Sequence, residues 1–360
     1  MTDSRMNFGL FFFAALGDDA PRTYQMMLAA ARRGEELGLD FVSTPERHFH
    51  RFGGAFPNPA VTSAALAAVT SRLQIRAGSV VTPLHPALRI VEDFALVDCL
   101  SEGRAAISVG SGWNVNDFVL NPAAYADRRD RMLRDVAEIR QVWRDGTWSG
   151  TNPVGGEVTL PVFPRPVQDE LPIWVTVSRN PETFRQAGEL GANVLTHLEN
   201  QDVDAVAGNI ERYREAFARH HPGRCGTVTL MMHTYVADST RRAHEVALPW
   251  LRSYLRTAID LESRAVGAGG GMSGGRTGRT VMTEERARDR LVEIAVNRYL
   301  AGTSLIGSVS DCRPVVDAVR AAGVDEIACL VDFVGDGDAV LAGLPHLAEL
   351  ATAVPAPLPA

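Results

Sequence analysis

The chain has 360 residues, of which 46% are apolar and 22% charged, an ordinary balance for a soluble globular protein. Lys and Arg total 36 against 43 Asp and Glu, a net charge of −7, which argues against a general nucleic-acid binder and a polybasic membrane patch. Cys99, Cys225, Cys312 and Cys329 lie far apart without a CxxC, so they predict small buried hydrophobes rather than a disulfide framework. The polar start Met1–Asn7 has no basic lead into a signal peptide, and Phe8–Leu16 is too short to span a bilayer. The expectation is a cytoplasmic protein.

In chain order, apolar runs predict strands over 8–13, 40–43, 73–82, 104–109, 171–177, 192–196, 226–236 and 326–333. Helices are predicted over 21–37, 59–70, 86–100, 127–143, 181–190, 203–220 and 313–322. Gly38, Gly191 and Gly323 act as stops, and Asn180 caps a helix with Pro181 in its first position. Eight strands alternating with helices predict the α/β class and a (β/α)8 TIM barrel. An open doubly wound sheet fits less well, because no GxGxxG follows the first strand.

Two segments exceed a minimal barrel. Residues 152–169 are rich in Pro and Gly, with a short hairpin expected around Glu157–Leu160. Residues 239–301 form a large insertion before the last strand, with helices expected over 241–258 and 283–299. Between them, the Gly-rich stretch 266–279 reads as a flexible linker or a lid. The predicted domain is therefore a single barrel over 1–340, followed by a C-terminal helix and frayed tail over 341–360.

Barrel sites lie at the C-terminal ends of the strands. After the second strand come Glu46, Arg47, His48 and His50, an acid–base or anion-binding cluster, or a polar loop with internal ion pairs. The spacing matches no strong zinc signature, although Glu46, His48 and His50 are metal candidates. After the third strand, Thr82 offers a hydroxyl, while His85 before Pro86 reads as a lock on the loop. After the fourth come Ser111, Trp113 and Asn114 among glycines that permit close ligand approach. After the fifth, Ser178 and Arg179 precede a helix N-terminus, a combination suited to phosphate. His197 follows the sixth strand. No P-loop, GxSxG, HExxH or triad is present, so the site reads as one that holds a cofactor.

These residues resemble the bacterial-luciferase-like flavin monooxygenases. The resemblance spans Met6 to Val334 and rests on Glu46-Arg47-His48-Phe49 with Gly53, and on Ala77-Gly78-Ser79-Val80-Val81 with His85-Pro86. Ser101-Glu102-Gly103-Arg104 leading to Gly110-Ser111-Gly112, and Gly323-Val324-Asp325-Glu326-Ile327, complete it. The segments around Pro45–Phe49 and Gly110–Asn114 look like the branch found in natural-product biosynthesis.

The resemblance implies a two-component enzyme in which a separate flavin reductase supplies reduced FMN. Oxygen adds at the flavin C4a position, and the substrate is hydroxylated or N-oxygenated, either free or on a carrier protein. It also implies a homodimer. Arg47 stands where luciferase has its catalytic histidine, and an arginine stays cationic at neutral pH. Arg47 is thus expected to stabilise a peroxy anion or a substrate carboxylate, His48 to transfer a proton, and Trp113 to wall the ring. Ala77-Gly78 maps to the family's non-prolyl cis bond beneath the flavin. Ser111 and Ser178 map near the phosphate, with Thr82, Asn114 and Arg179 as further cofactor contacts. The rivals are hydride transfer with the deazaflavin F420, and a flavin-binding barrel without catalysis.

Overall fold

A computed structural model describes residues 6–14, 19–199, 201–267 and 285–352. In chain order the first strands are β1 (Asn7–Phe11), β2 (Phe41–Thr44), β3 (Gln74–Val81) and β4 (Ala105–Gly110). An antiparallel hairpin, β5 (Thr147–Thr151) and β6 (Glu157–Pro161), comes next. Then follow β7 (Ile173–Thr176), β8 (Asn193–His197), β9 (Val228–Ala237), β10 (Leu305–Ser308) and β11 (Glu326–Leu330).

Eight of these close into a parallel barrel. β1 to β4 pair in sequence, β4 pairs with β7, β7 with β8, and β8 with β9. β11 completes the ring, placing Ile327 beside both Phe8 and Leu230. Short, continuously apolar strands are what a sheet covered on both faces requires.

The outer layer comprises α1 (Ala20–Glu36), α2 (Pro59–Ala67), α3 (Ala87–Leu100), α4 (Arg128–Asp145) and α5 (Pro181–Glu189). It continues with α6 (Val203–His220), α7 (Thr240–Gly267), α8 (Glu285–Arg298), α9 (Val309–Ala321) and α10 (Gly337–Thr352). Asn180 accepts from the Glu182 amide at 3.0 Å with Pro181 at the first turn, as expected.

The differences from expectation are local. β1 stops at Phe11 because the Phe13 and Ala14 amides donate to the Asp332 carboxylate, each at 2.9 Å. The same contact takes Asp332 out of the last strand. β10 was not expected. It lies outside the barrel and pairs with the far end of β9, Leu305 beside Thr234. Cys312 and Cys329 are buried, but Cys99 is half-buried and Cys225 exposed, because both lie outside the packed interior. Most of the Gly-rich stretch 266–279 lies outside the described residues.

The N-terminal end of the barrel is plugged by a polar layer. Arg76 donates to Glu326 at 2.6 and 3.1 Å, and Thr229 donates to the same carboxylate at 2.7 Å. The guanidinium stacks over Phe41 at 3.7 Å and Trp174 at 4.2 Å. Burial pushes the Glu326 pKa up, but Arg76 and the hydrogen bonds outweigh it and hold it below the ordinary value. Gly9 makes room here: a Cβ on it would stand 2.3 Å from the Phe41 ring. With this end filled, the C-terminal mouth is left for the site.

Candidate functional site

The segment from β2 to α2 turns into the mouth. Glu46 is fully buried. Its Oε1 accepts from His48 Nε2 at 2.8 Å and from His85 Nε2 at 2.6 Å, while Oε2 accepts from the Val81 amide at 2.7 Å. Burial alone would raise the Glu46 pKa, but the two imidazoles and the amide hold it below the ordinary value. Burial lowers the His85 pKa, yet Glu46 and Asp93 raise it more, so the net shift is upward.

Arg47 is half-buried. Its guanidinium lies 4.0 Å from the Phe13 ring centre and 5.3 Å from that of Phe52. Burial lowers its pKa, opposed by the field of Tyr254, Asp117, Glu199 and Asp332. No carboxylate among the described residues comes within ion-pair distance. Asp117 is pushed up to about 6, chiefly by burial, although His48, Arg47 and the hydrogen bond from Asn114 pull it down.

The end of β3 holds a non-prolyl cis bond at Gly78-Ser79, one residue beyond the expected Ala77-Gly78. Ala77 and Gly78 keep register with Ile107 and Ser108, and the ladder skips at Ser79, so the irregularity falls there. Gly78 packs against Phe11, where a Cβ would approach to 2.6 Å. Ser79 Oγ lies 2.5 Å from Thr176 Oγ1, tying the ends of β3 and β7. Thr82 is fully buried against Asp135 of α4.

After β4, Ser111 and Trp113 are half-buried, with Trp113 packed on the core. Asn114 is buried and caps the following turn: it accepts from the Asn116 amide at 3.2 Å and donates to Asp117 at 2.7 Å. After β7, the Ser178 carbonyl accepts from Gln201 Nε2 at 2.9 Å. Exposed Arg179 lines an open depression of about 590 Å³ with Gln201, Asp202, Arg298, Ala301 and Thr303. Arg298 donates to the Leu198 and Gln201 carbonyls, which ties α8 to this edge. Two guanidinium groups and a hydroxyl suit an anionic group.

The structure therefore brings Arg47 and His48 together with Glu46 and His85, and places Ser178 and Arg179 at a separate edge of the mouth. Sequence reading missed Asp117, Asp332, Tyr254 and His233. His233 lies on β9, its ring edge-on to Tyr254 at 4.5 Å and Tyr299 at 4.7 Å. Burial lowers its pKa to about 3, and its Nε2 has no hydrogen-bond partner. Tyr254 and Tyr299 belong to the insertion, where helical periodicity says nothing about facing the mouth. Among the described residues no group of three or more His, Cys, Asp or Glu is placed to hold a metal ion, and no helix is long and apolar enough to cross a membrane.

A family model described as luciferase-like monooxygenase matches residues 6–326. The chain belongs to the luciferase-like monooxygenases. It is accordingly an enzyme of the flavin-dependent oxidoreductase type. It is 27% identical over 251 residues to the oxygenase component of a flavin-dependent trigonelline monooxygenase from Acinetobacter baylyi, covering 67% of this chain and 68% of that one. It is 30% identical over 301 residues to an F420-dependent glucose-6-phosphate dehydrogenase from Amycolatopsis mediterranei, covering 80% and 84%. Among solved structures, the FMN complex of the oxygenating constituent of 3,6-diketocamphane monooxygenase from Pseudomonas putida superposes with a TM-score of 0.76. That match has 18% identity and covers 99% of this chain and all of that one, so the likeness is one of fold.

Proposed function

We propose that this luciferase-like monooxygenase is the oxygenase of a two-component, FMN-dependent system. It would hydroxylate or N-oxygenate a natural-product biosynthetic intermediate, free or on a carrier protein. The observation that carries the reading is Arg47, a cation over the Phe13 ring and beside Phe52, with no carboxylate among the described residues paired to it. Such a group stabilises negative charge that develops during reaction, or a substrate carboxylate.

Reduced FMN, when bound, supplies the electrons and the centre at which oxygen reacts. The residues present fit it. Arg179, Arg298 and Thr303 offer donors suited to a phosphate around the depression. Trp113 offers an apolar face, and Ala77, Gly78, Ser111 and Ser178 border the mouth. Thr82, packed by Asp135, and Asn114, which donates to Asp117, are further candidates for cofactor contacts. Arg47 balances negative charge, Phe13 and Phe52 keep water from it, and His48 holds and moves a proton at the nitrogen not bound to Glu46.

The similarity to a protein named as an oxygenase component supports a separate reductase, and two copies are expected to pair through barrel helices. The F420-dependent relative favours a second reading, hydride transfer with F420. An anaerobic titration with reduced FMN, with F420 in parallel, tests the choice through quenching of tryptophan fluorescence. Saturation by reduced FMN alone is expected. Saturation by F420 alone would overturn the cofactor assignment.

A further inference from the structure

The Glu46 centre holds more than a loop lock requires. Two imidazoles converge on one carboxylate oxygen, at 2.8 and 2.6 Å, while the other oxygen is occupied by the Val81 amide. Access is graded across the three: the side chains are 34% exposed at His85, 0% at Glu46 and 10% at His48. His85 therefore meets solvent at the outer end. His48, the more enclosed of the two imidazoles and next to Arg47 in the chain, forms the inner end, where it and Arg47 both act on Asp117.

We propose that His48 and His85, both bonded to the ionised Glu46 carboxylate, carry one imidazolium proton between them, His48 exchanging it with the reacting molecule and His85 with solvent. This assigns His85 as a positioning residue that sets the charge state of His48, and its catalytic consequence rests on the FMN-dependent reading.

The charges around the pair favour one imidazolium over two. At the inner end stand Arg47 and Asp117, the latter bonded to Asn114. At the outer end Asp93 faces His85 and is paired with Arg89 at 2.7 Å, with Glu92 beside it. One buried carboxylate neutralises one imidazolium; a second, with Arg47 close by, would leave uncompensated positive charge in a poorly solvated place. When His48 takes a proton from the mouth on its free nitrogen, His85 releases one to water from its own. Glu46 stays ionised, the net charge of the three groups is unchanged, and no electrons move. The reverse step delivers a proton inward.

The test is a pH titration of the protein followed by nitrogen NMR of the imidazole rings, in wild type, His85→Gln and Asp93→Asn. Glutamine keeps a donor to Glu46 but cannot titrate. In wild type the His48 ring signal should record the His85 titration as a second step, as coupled sites do. In His85→Gln that step should vanish. Asp93→Asn leaves all three hydrogen bonds in place. It should move the His85 midpoint down and carry the second step of the His48 curve with it. A His48 curve that is identical in all three proteins would overturn the proposal.

The rate at which protein-bound reduced FMN consumes oxygen gives the second readout. His85→Gln should change its pH profile while leaving FMN affinity within about twofold. An unchanged profile would overturn the catalytic role. Coupled imidazoles in a protein that does not bind FMN would support the proton-sharing pair and contradict the FMN reading, so the two failures are distinguishable.

Discussion

Arg47 occupies the position at which the family resemblance has a base, and it cannot act as one. Stacked on Phe13 and partly desolvated, it can only attract negative charge. Replacing it with Met should therefore raise the hydrogen peroxide released per oxygen consumed, and lower turnover about 100-fold if it acts as a preorganised charge stabiliser. Oxygen uptake measured together with peroxide release checks this; unchanged coupling would remove the role.

Asp117 gives a pH prediction. Its pKa is raised from 3.8 to about 6, so the folded state favours the protonated carboxyl. The stability this contributes is complete below pH about 4 and is lost as the pH rises through about 6. Asp117→Asn should therefore be more stable than wild type at pH 7.5 by about 1 kcal/mol, a value discounted for the partial exposure of the group. The gain should shrink near pH 4.5. Urea unfolding at the two pH values measures it.

Glu46, Arg47 and His48 stood out in the sequence because they come soon after a strand, whereas His85, beyond the turn that ends β3, read as a lock on the loop. Asp332 and His233 were not, because each sits inside an apolar run that reads as ordinary strand. That His85 and His48 meet on Glu46 depends on a contact across 39 residues, which no local spacing reveals.

Among the elements, the eight barrel strands were legible through short apolar runs ended by Pro, Gly and polar clusters. β10 was hidden, because Leu305–Ser308 is four residues long and lies after an insertion whose pattern is helical. The cis bond was placed one residue early, because its position is fixed by a register skip between β3 and β4.

The plug at the N-terminal end was also illegible: Arg76 and Glu326 are 250 residues apart. Arg76→Met should cost about 3–5 kcal/mol, since it leaves Glu326 buried without its cation. Adding Glu326→Gln should recover part of the loss, as thermal melts of the single and double variants would show. A melt of Arg76→Met equal to wild type would mean that the layer is not what closes this end. Gly9→Ala should lower the melting temperature as well, at about 1–3 kcal/mol, because its methyl would drive into Phe41.

At the scale of the whole molecule, a filled N-terminal end directs ligands to the C-terminal mouth. There, one edge carries Arg179 and Arg298 and the other carries Arg47 with the Glu46 centre. The net charge of −7 gives no help in attracting anions, so under the proposed function that task falls to these three local guanidinium groups. Composition showed none of this division; it follows from the closure of the barrel, which brings loops distant in sequence to one rim. The family relationship reaches from residue 6 to residue 326, and the chain is similar both to a protein named as flavin-dependent and to one named as F420-dependent.

The most direct test of the central claim is to load the protein anaerobically with reduced FMN, mix it rapidly with oxygen, and follow dissolved oxygen and the oxidised-flavin absorbance together. The account predicts that oxygen is consumed first and the absorbance returns in a later, slower phase, with the two phases merging in Arg47→Met. Reoxidation at the rate of free flavin, or turnover with F420 that proceeds without oxygen, would contradict it.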